Sequence, residues 1–180
     1  MLDKITFAKR YSKALYEVLE EKNQVEAGLS ELLSIKQVFD DNSSLSRVLT
    51  DVSFPEDKKE SLIKPLIDNS DVEFVKNLLK VLLGSNKMDE FTLIVEEFER
   101  SYNEKNKIVH ADALSVVPLS DEQKQKLADV FKARVGANEV ILDNKVDQSL
   151  IGGVILKSSN VIFDGSVKTK INNIKKLLLS

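Results

Sequence analysis

The sequence predicts a mainly α protein, with an N-terminal six-helix bundle over residues 1–105 and a smaller C-terminal α+β domain over 106–180. Three observations predict it. From residue 3 to about 105, apolar residues recur at three- and four-residue spacing, the signature of amphipathic helices. After Asn106 that period gives way to the short alternating or continuous apolar runs of strands. The change occurs without a Gly/Ser linker, which leaves room for a helix that continues from one part into the other.

Each element has a local justification. Ala8, Tyr11, Leu15 and Val18 form one face of the first helix, and Leu29, Leu32 and Leu33 continue the pattern in a second over about 24–40. Asn42-Ser43-Ser44 offers caps for a short third helix holding Leu45, Val48 and Leu49. Pro55 before Glu56 and Asp57 starts a fourth, since proline at the first helical position loses no hydrogen bond. Pro65 is expected to kink or end it. A fifth helix spans 71–84 and breaks at Gly84-Ser85-Asn86, and a sixth, over about 88–105, carries Phe91, Ile94, Val95 and Phe98. Beyond it, 107–117 reads as a strand stopped by Pro118. Ser120, with Gln123 three residues on, predicts a capping box for a helix over 121–135 that ends at Gly136. Residues 140–146, 150–157 and 161–163 read as strands, and a last helix from Ser166 places Val167, Ile171, Ile174, Leu177 and Leu178 on one side.

Composition narrows the function. Hydrophobic residues make up 42% and charged residues 31% of the 180, as in ordinary globular proteins. With no cysteine there is no disulfide, thiolate nucleophile or cysteine-ligated zinc, and no aspartate-rich run has calcium-loop spacing. The opening MLDKITFAKRYSKALYEVLEE is charged throughout, and no stretch reaches the roughly 18 apolar residues of a span, so membrane association is expected only through a partner. Residues 1–105 hold 15 basic against 21 acidic side chains, and residues 106–180 hold 11 against 8. The second half is thus mildly basic, but its lysines are scattered and Phe131 and Phe163 are its only aromatics. That is no stacking platform for nucleic acid. The single histidine, His110, lies in a strand pattern as a surface or interface residue, and no cofactor or metal is expected.

The glycines of IGGVILKSSNVIFDGSVKTKI raise the question of a phosphate loop. Such a loop needs glycine where a strand turns into a helix, so that amides point at the anion. Gly152-Gly153 precedes the apolar run Val154-Ile155-Leu156 and instead suggests a bulge or a close approach of two backbones. Asp164-Gly165-Ser166 does stand between a strand and a helix. There Asp or Ser is expected to cap the helix and Gly165 to take a positive φ, while the aspartate would repel phosphate.

The positive signal is surplus apolar surface. In DVEFVKNLLKVLLG, Val75, Leu78 and Leu82 suffice for one core stripe. Phe74, Val81 or Leu79, and Leu83 are left over, as are Ile5, Phe7 and Ala14 on the first helix. Two such helices either line a groove for a partner's amphipathic helix or lie buried in the bundle centre.

Four stretches carry a family resemblance. They are Arg10-Tyr11-Ser12-Lys13-Ala14-Leu15, Leu82-Leu83-Gly84-Ser85-Asn86, Val146-Asp147-Gln148-Ser149-Leu150-Ile151-Gly152-Gly153 and Ile162-Phe163-Asp164-Gly165-Ser166. The chain resembles the delta-subunit family of bacterial F-type ATP synthases, counterparts of the mitochondrial oligomycin-sensitivity-conferring protein, over nearly its whole length. It departs where Lys87-Met88 stand for the family's frequent Gly-Arg, where Lys168-Thr169-Lys170 stand for Arg-Gly-Arg, and at Ser12 in place of alanine.

The resemblance implies a non-catalytic stator component without cofactor or metal, present as a single copy in a large hetero-oligomer and peripheral at the cytoplasmic face of the bacterial membrane. It implies a groove on the first and fifth helices for the N-terminal helix of an alpha subunit, with Phe7, Tyr11, Ala14, Phe74, Leu78, Val81 and Leu82 as its residues. It makes Asn86, Asp147, Gly152, Gly153, Asp164, Gly165 and Ser166 structural. It gives Ile171, Ile174 and Leu178 to the C-terminal helices of the b subunits. The implied partners include no nucleic acid and no direct insertion into the membrane. A helical adaptor, or a nucleotide binder using the Asp164-Gly165-Ser166 turn, is the alternative.

Overall fold

A computed structural model describes residues 2–42, 44–159 and 161–179, with backbone only for Leu2, Lys176, Leu177 and Leu179. The expected cap at Ser43 and the apolar side chain of Leu177 lie outside the described residues. The chain divides into two compact units, Met1–Tyr102 and Asn103–Ser180.

The first unit contains α1 (Leu2–Glu21), α2 (Val25–Asp41), α3 (Leu45–Thr50), α4 (Glu56–Asp68), α5 (Glu73–Gly84), a 3₁₀ turn (Met88–Glu90) and most of α6 (Phe91–Asn106), which continues into the second unit. Leu19, Leu32, Leu49, Ile63, Leu79, Leu82, Met88, Phe91, Ile94 and Phe98 are essentially sealed from solvent. Phe39 packs on Phe91 and Tyr16 on Phe98, with ring centroids 5.2 and 5.3 Å apart. Those tilted pairs add to the area term of burial.

The structure rotates two faces relative to the periodicity. On α1 the buried row is Ala8, Ser12, Leu15, Tyr16 and Leu19, leaving Tyr11 and Val18 half-buried. On α5 Leu79 joins Val75, Leu78 and Leu82 inside, so it is not one of the spare residues. Leu83 is half-buried against the same core.

Three helix ends also differ from expectation. Pro65 does not end α4, which runs one turn further, and the Asn69 N–H bonds the Pro65 carbonyl at 3.2 Å. A proline this close to the C-terminus removes one hydrogen bond with little helix left to disrupt. Asn42 closes α2, its Nδ2 donating to the Val38 carbonyl, whereas Ser44 makes no side-chain cap for α3. The fifth helix begins at Glu73, two residues later than expected. Its preceding amides, those of Asp71 and Val72, donate to Glu31 Oε1 from α2 at 2.6 and 2.9 Å. The cap therefore comes from another helix, and local sequence carries no trace of it.

Asn86 has φ 51° and accepts a 2.7 Å hydrogen bond from the buried Lys59 ammonium. Asparagine tolerates this left-handed backbone better than most residues, and a buried ammonium needs an acceptor. That pairing ties the α5–α6 corner to α4.

The second unit has β1 (Ile108–Ser115), α7 (Asp121–Val135), β2 (Glu139–Val146), β3 (Val154–Ser158), β4 (Ile162–Asp164) and α8 (Val167–Leu179). The sheet order is β2-β1-β3-β4. β1 and β2 pair in parallel across the α7 crossover, and the remaining pairs are antiparallel. Ser120 accepts from the Gln123 N–H while the Gln123 side chain accepts from the Ser120 N–H, so the expected capping box forms. Gly136 closes α7 at φ 67°, the left-handed conformation glycine adopts without strain. Phe131 packs with Ala111, Ala113 and Leu156 on the buried sheet face. The strand expected from 150 begins only at Val154, because 150–153 is spent in a turn.

Candidate functional site

Two surfaces and one clasp gather the residues singled out above. The first surface belongs to α1 and α5. Phe7 and Tyr11, one turn apart, stack with centroids 4.2 Å apart and 29° between planes. Both rings are half-buried against the core, as is Phe74. Ala14 is exposed and Val81 is 48% exposed, whereas Ile5, 41% exposed and two residues before Phe7, projects from the other side of α1. Leu78 and Leu82 lie beneath as core members, so on this face they form floor and not rim. The sequence missed the cations: Lys87 Nζ stands 4.2 Å from the Phe7 centroid, and Arg10 Cζ stands 5.6 Å from that of Tyr11. Only the fold brings Lys87 there. Nearby, Lys4 pairs with Asp89 and approaches Glu90 Oε1 at 3.5 Å; the Asp89 hydrogen bond raises the Lys4 pKa above its ordinary value.

The second surface is the outer side of α8. Ile171, Ile174 and Leu178 are 53%, 58% and 81% exposed, with Val167 at the start of the same stripe. Lys168, Lys170 and Lys175 are exposed on this helix, which carries no acidic residue.

Between β3 and α8 lies the clasp formed by the two late motifs. Gly153 has φ 82°, and a Cβ built there would stand 2.5 Å from the Gly165 carbonyl oxygen and 2.9 Å from Ser166 Cα. The expected close approach of two backbones is thus real. Gly165, however, does not take a positive φ; among the described glycines only Gly136 and Gly153 do. Its lack of a side chain serves proximity instead, since a Cβ would sit 3.0 Å from the Val154 carbonyl oxygen. Asp164 Oδ1 accepts from the Ser166 N–H at 2.9 Å, its Oδ2 from the Thr169 hydroxyl at 2.7 Å, and Ser166 Oγ from the Thr169 N–H at 3.3 Å. The Thr169 hydroxyl, then Ser166, hold the Asp164 carboxyl below its ordinary pKa of 3.8.

Thr169 therefore adds a bond to the aspartate and does not disturb the clasp. Two amides that a phosphate would need are already used, and a carboxylate occupies the position. Asp147 closes the preceding turn by accepting from the Ser149 N–H at 2.9 Å; the Ser149 hydroxyl and N–H lower its pKa.

His110 is exposed on β1 opposite Ile141 of β2. Among the described residues no three His, Cys, Asp or Glu side chains group as metal ligands, and no helix is long and apolar enough to cross a membrane.

The model of the family described as ATP synthase delta (OSCP) subunit matches residues 7–178. The ATP synthase subunit delta of Lactiplantibacillus plantarum is 45% identical over 179 residues, covering 99% of this chain and 98% of that protein. That of Pediococcus pentosaceus is 42% identical over 178 residues, with the same shares covered. Among solved structures, a chain of the Toxoplasma gondii mitochondrial ATP synthase hexamer shares the fold at TM-score 0.68 and 20% identity, covering 96% of this chain and 97% of that one.

Proposed function

The chain belongs to the ATP synthase delta (OSCP) subunit family, and from that premise we propose that it is a stator link of an F-type ATP synthase, holding the catalytic head against rotor torque. The observation that carries this reading is the uncovered apolar face of α1 and α5. The bundle completes its own core with Leu79, Leu82, Phe91 and Phe98, yet Ala14 and Val81 remain at the surface beside Phe7, Tyr11 and Phe74. An amphipathic helix laid there, the N-terminal helix of an alpha subunit, buries that surface. The Ile171, Ile174 and Leu178 stripe of α8 receives the C-terminal helices of the b subunits by the same physics.

A link under torque needs slow dissociation more than fast association. Two contacts on separate units supply it, because each raises the effective concentration of the other. The protein itself has no active site, and it sits peripherally at the cytoplasmic face of the membrane through its partners. The first unit, Met1–Tyr102, meets the alpha subunit; the second, Asn103–Ser180, meets the b subunits. The nucleotide-binding alternative is disfavoured by the Asp164 carboxylate and the internally bonded amides of its turn.

The test is isothermal titration of the full chain with a peptide spanning the N-terminal segment of the alpha subunit from the same organism. One-to-one binding with a clearly negative heat-capacity change is expected, the mark of apolar burial. Ala14→Asp and Phe74→Asp should weaken it while leaving the helical circular-dichroism signal intact. Absence of heat at several temperatures with a folded chain would end the groove reading.

A further inference from the structure

Between α4 and the C-terminal end of α5, within the first unit, lies a cleft of about 630 Å³. α4 supplies Lys59, Ile63 and Ile67 at four-residue steps, which sets them along one side of that helix. Leu83 and Asn86 line the cleft from α5 and the corner after it. Lys59 is 3% exposed and Ile63 is buried, whereas Ile67, Leu83 and Asn86 are half-buried. From Lys59 to Ile67 the cleft follows α4 for about two turns, roughly 12 Å. Its volume falls among those of small-molecule sites.

Lys59 is the group that this cleft leaves incomplete. Its ammonium carries three N–H donors, and one of them goes to Asn86 Oδ1 at 2.7 Å. Among the described residues it makes no ion pair. A neutral amide accepts a hydrogen bond but brings no opposite charge, and a buried charge is costly until it is paired. Glu56, Glu60 and Asp68 also line the cleft but are exposed, as are Lys64 and Lys80. Water and salt screen those five at the rim and screen the buried ammonium far less. With three acids against two bases, the rim repels a multiply charged anion such as a polyphosphate. A single negative charge meets little opposition there.

We propose that the cleft between α4 and α5 binds a small monocarboxylate with an apolar body, its carboxylate on the Lys59 ammonium and its body along Ile63, Ile67 and Leu83. The carboxylate takes donors that Asn86 leaves free, in charge-assisted bonds about twice as strong as neutral ones. The body covers side chains that the bundle leaves half-buried, so both ends of the ligand contribute. Because the same ammonium ties α4 to the α5–α6 corner through Asn86, occupation braces that corner. The site shares no residue with the α1–α5 face, so its occupation does not depend on the partner proposed there.

The experiment follows the amide shifts of the full isotopically labelled chain on titration with sodium octanoate, with 1-octanol and with inorganic phosphate. Octanoate should give saturable shifts centred on Lys59, Ile63, Ile67, Leu83 and Asn86. Octanol, the same body without the charge, should bind there about tenfold more weakly. Phosphate, a charge without the body, should give no shifts centred there. Lys59→Met keeps an apolar stem and removes the charge, and it should bring octanoate down to the affinity of octanol. The Lys64→Gln/Lys80→Gln double variant, at the exposed rim, should change octanoate affinity by less than about twofold. If Lys59→Met loses its helical circular-dichroism signal, the wild-type comparison of octanoate with octanol decides. Equal affinities for those two, or a rim variant that loses octanoate, would overturn the assignment to Lys59. Octanoate shifts that centre on Val81 or Ile174, that phosphate reproduces, or that never appear would remove the site altogether.

Discussion

The two units solve burial differently. Among the described residues the first gathers a core of nineteen buried hydrophobic side chains drawn from every helix and the 3₁₀ turn, whereas the second has four, Ala111, Ala113, Phe131 and Leu156. Phe131 is the only large aromatic among those four. The first unit therefore stands on redundancy and can leave apolar residues such as Val81 at its surface. The second is held by a few non-redundant contacts: one phenylalanine, one glycine clasp and one capping box. Its exposed Ile141, Ile162, Ile171, Ile174 and Leu178 show how much of its apolar surface its own fold leaves uncovered. A small domain that buries little on its own gains most from a partner.

That contrast is sharpest at Phe131. Phe131→Ala should cost about 3–5 kcal/mol, enough to melt the second unit alone, while amides of the first keep their slow hydrogen exchange. Cooperative loss of both units in that variant would break the contrast. Phe98→Ala removes a similar volume from the first unit, whose redundant core should stay folded at room temperature.

Gly153→Ala is the next largest effect. It forces a Cβ into the left-handed region and to within 2.5 Å of a backbone oxygen, together about 2–4 kcal/mol. Gly136→Ala serves as its control, since φ is also positive there but nothing lies within 4 Å. That substitution should cost only about 1–2 kcal/mol. Equal losses in urea unfolding would show that proximity to Gly165 and Ser166 contributes nothing.

In the first unit, Glu31→Ala removes the acceptor of the Asp71 and Val72 amides and of the Ser70 hydroxyl. By analogy with lost N-caps it should cost about 1–2 kcal/mol, read as faster exchange confined to the start of α5. Uniform acceleration throughout the bundle would mean that Glu31 supports more than that end.

The smallest effect concerns Asp164. Its folded pKa lies below 3.8 because the Thr169 hydroxyl and Ser166 stabilise the carboxylate. The stability it contributes is therefore present above the ordinary carboxylate range and lost as pH falls through the folded value. An NMR titration should place its midpoint below 3.8, and Thr169→Val should move that midpoint upward. A midpoint unmoved by the substitution would remove Thr169 from the clasp.

How much of this was legible follows from the range of the interactions involved. The capping box at Ser120 and Gln123, the left-handed Gly136 and the helix start after Pro55 depend on a few neighbouring residues, so local sequence determined them. The change of period near Asn106 likewise reports a change of element type. The recognisable motifs around Gly152-Gly153 and Asp164-Gly165-Ser166 could be read as structural because an aspartate in the turn disfavours phosphate.

Tertiary structure alone decided what depends on distant partners. Periodicity counts apolar residues but does not set helix rotation, so it could not choose between Leu79 inside and Val81 outside. A cap from Glu31 to Asp71 spans 40 positions, and a cation on Phe7 from Lys87 requires α1 to meet the far end of α5. Gly165 is needed for the carbonyl of Val154, not for its own φ. Local propensity is a sum over neighbours, whereas packing is set by whichever surfaces the completed core brings together, and those contacts exist only after the chain has folded.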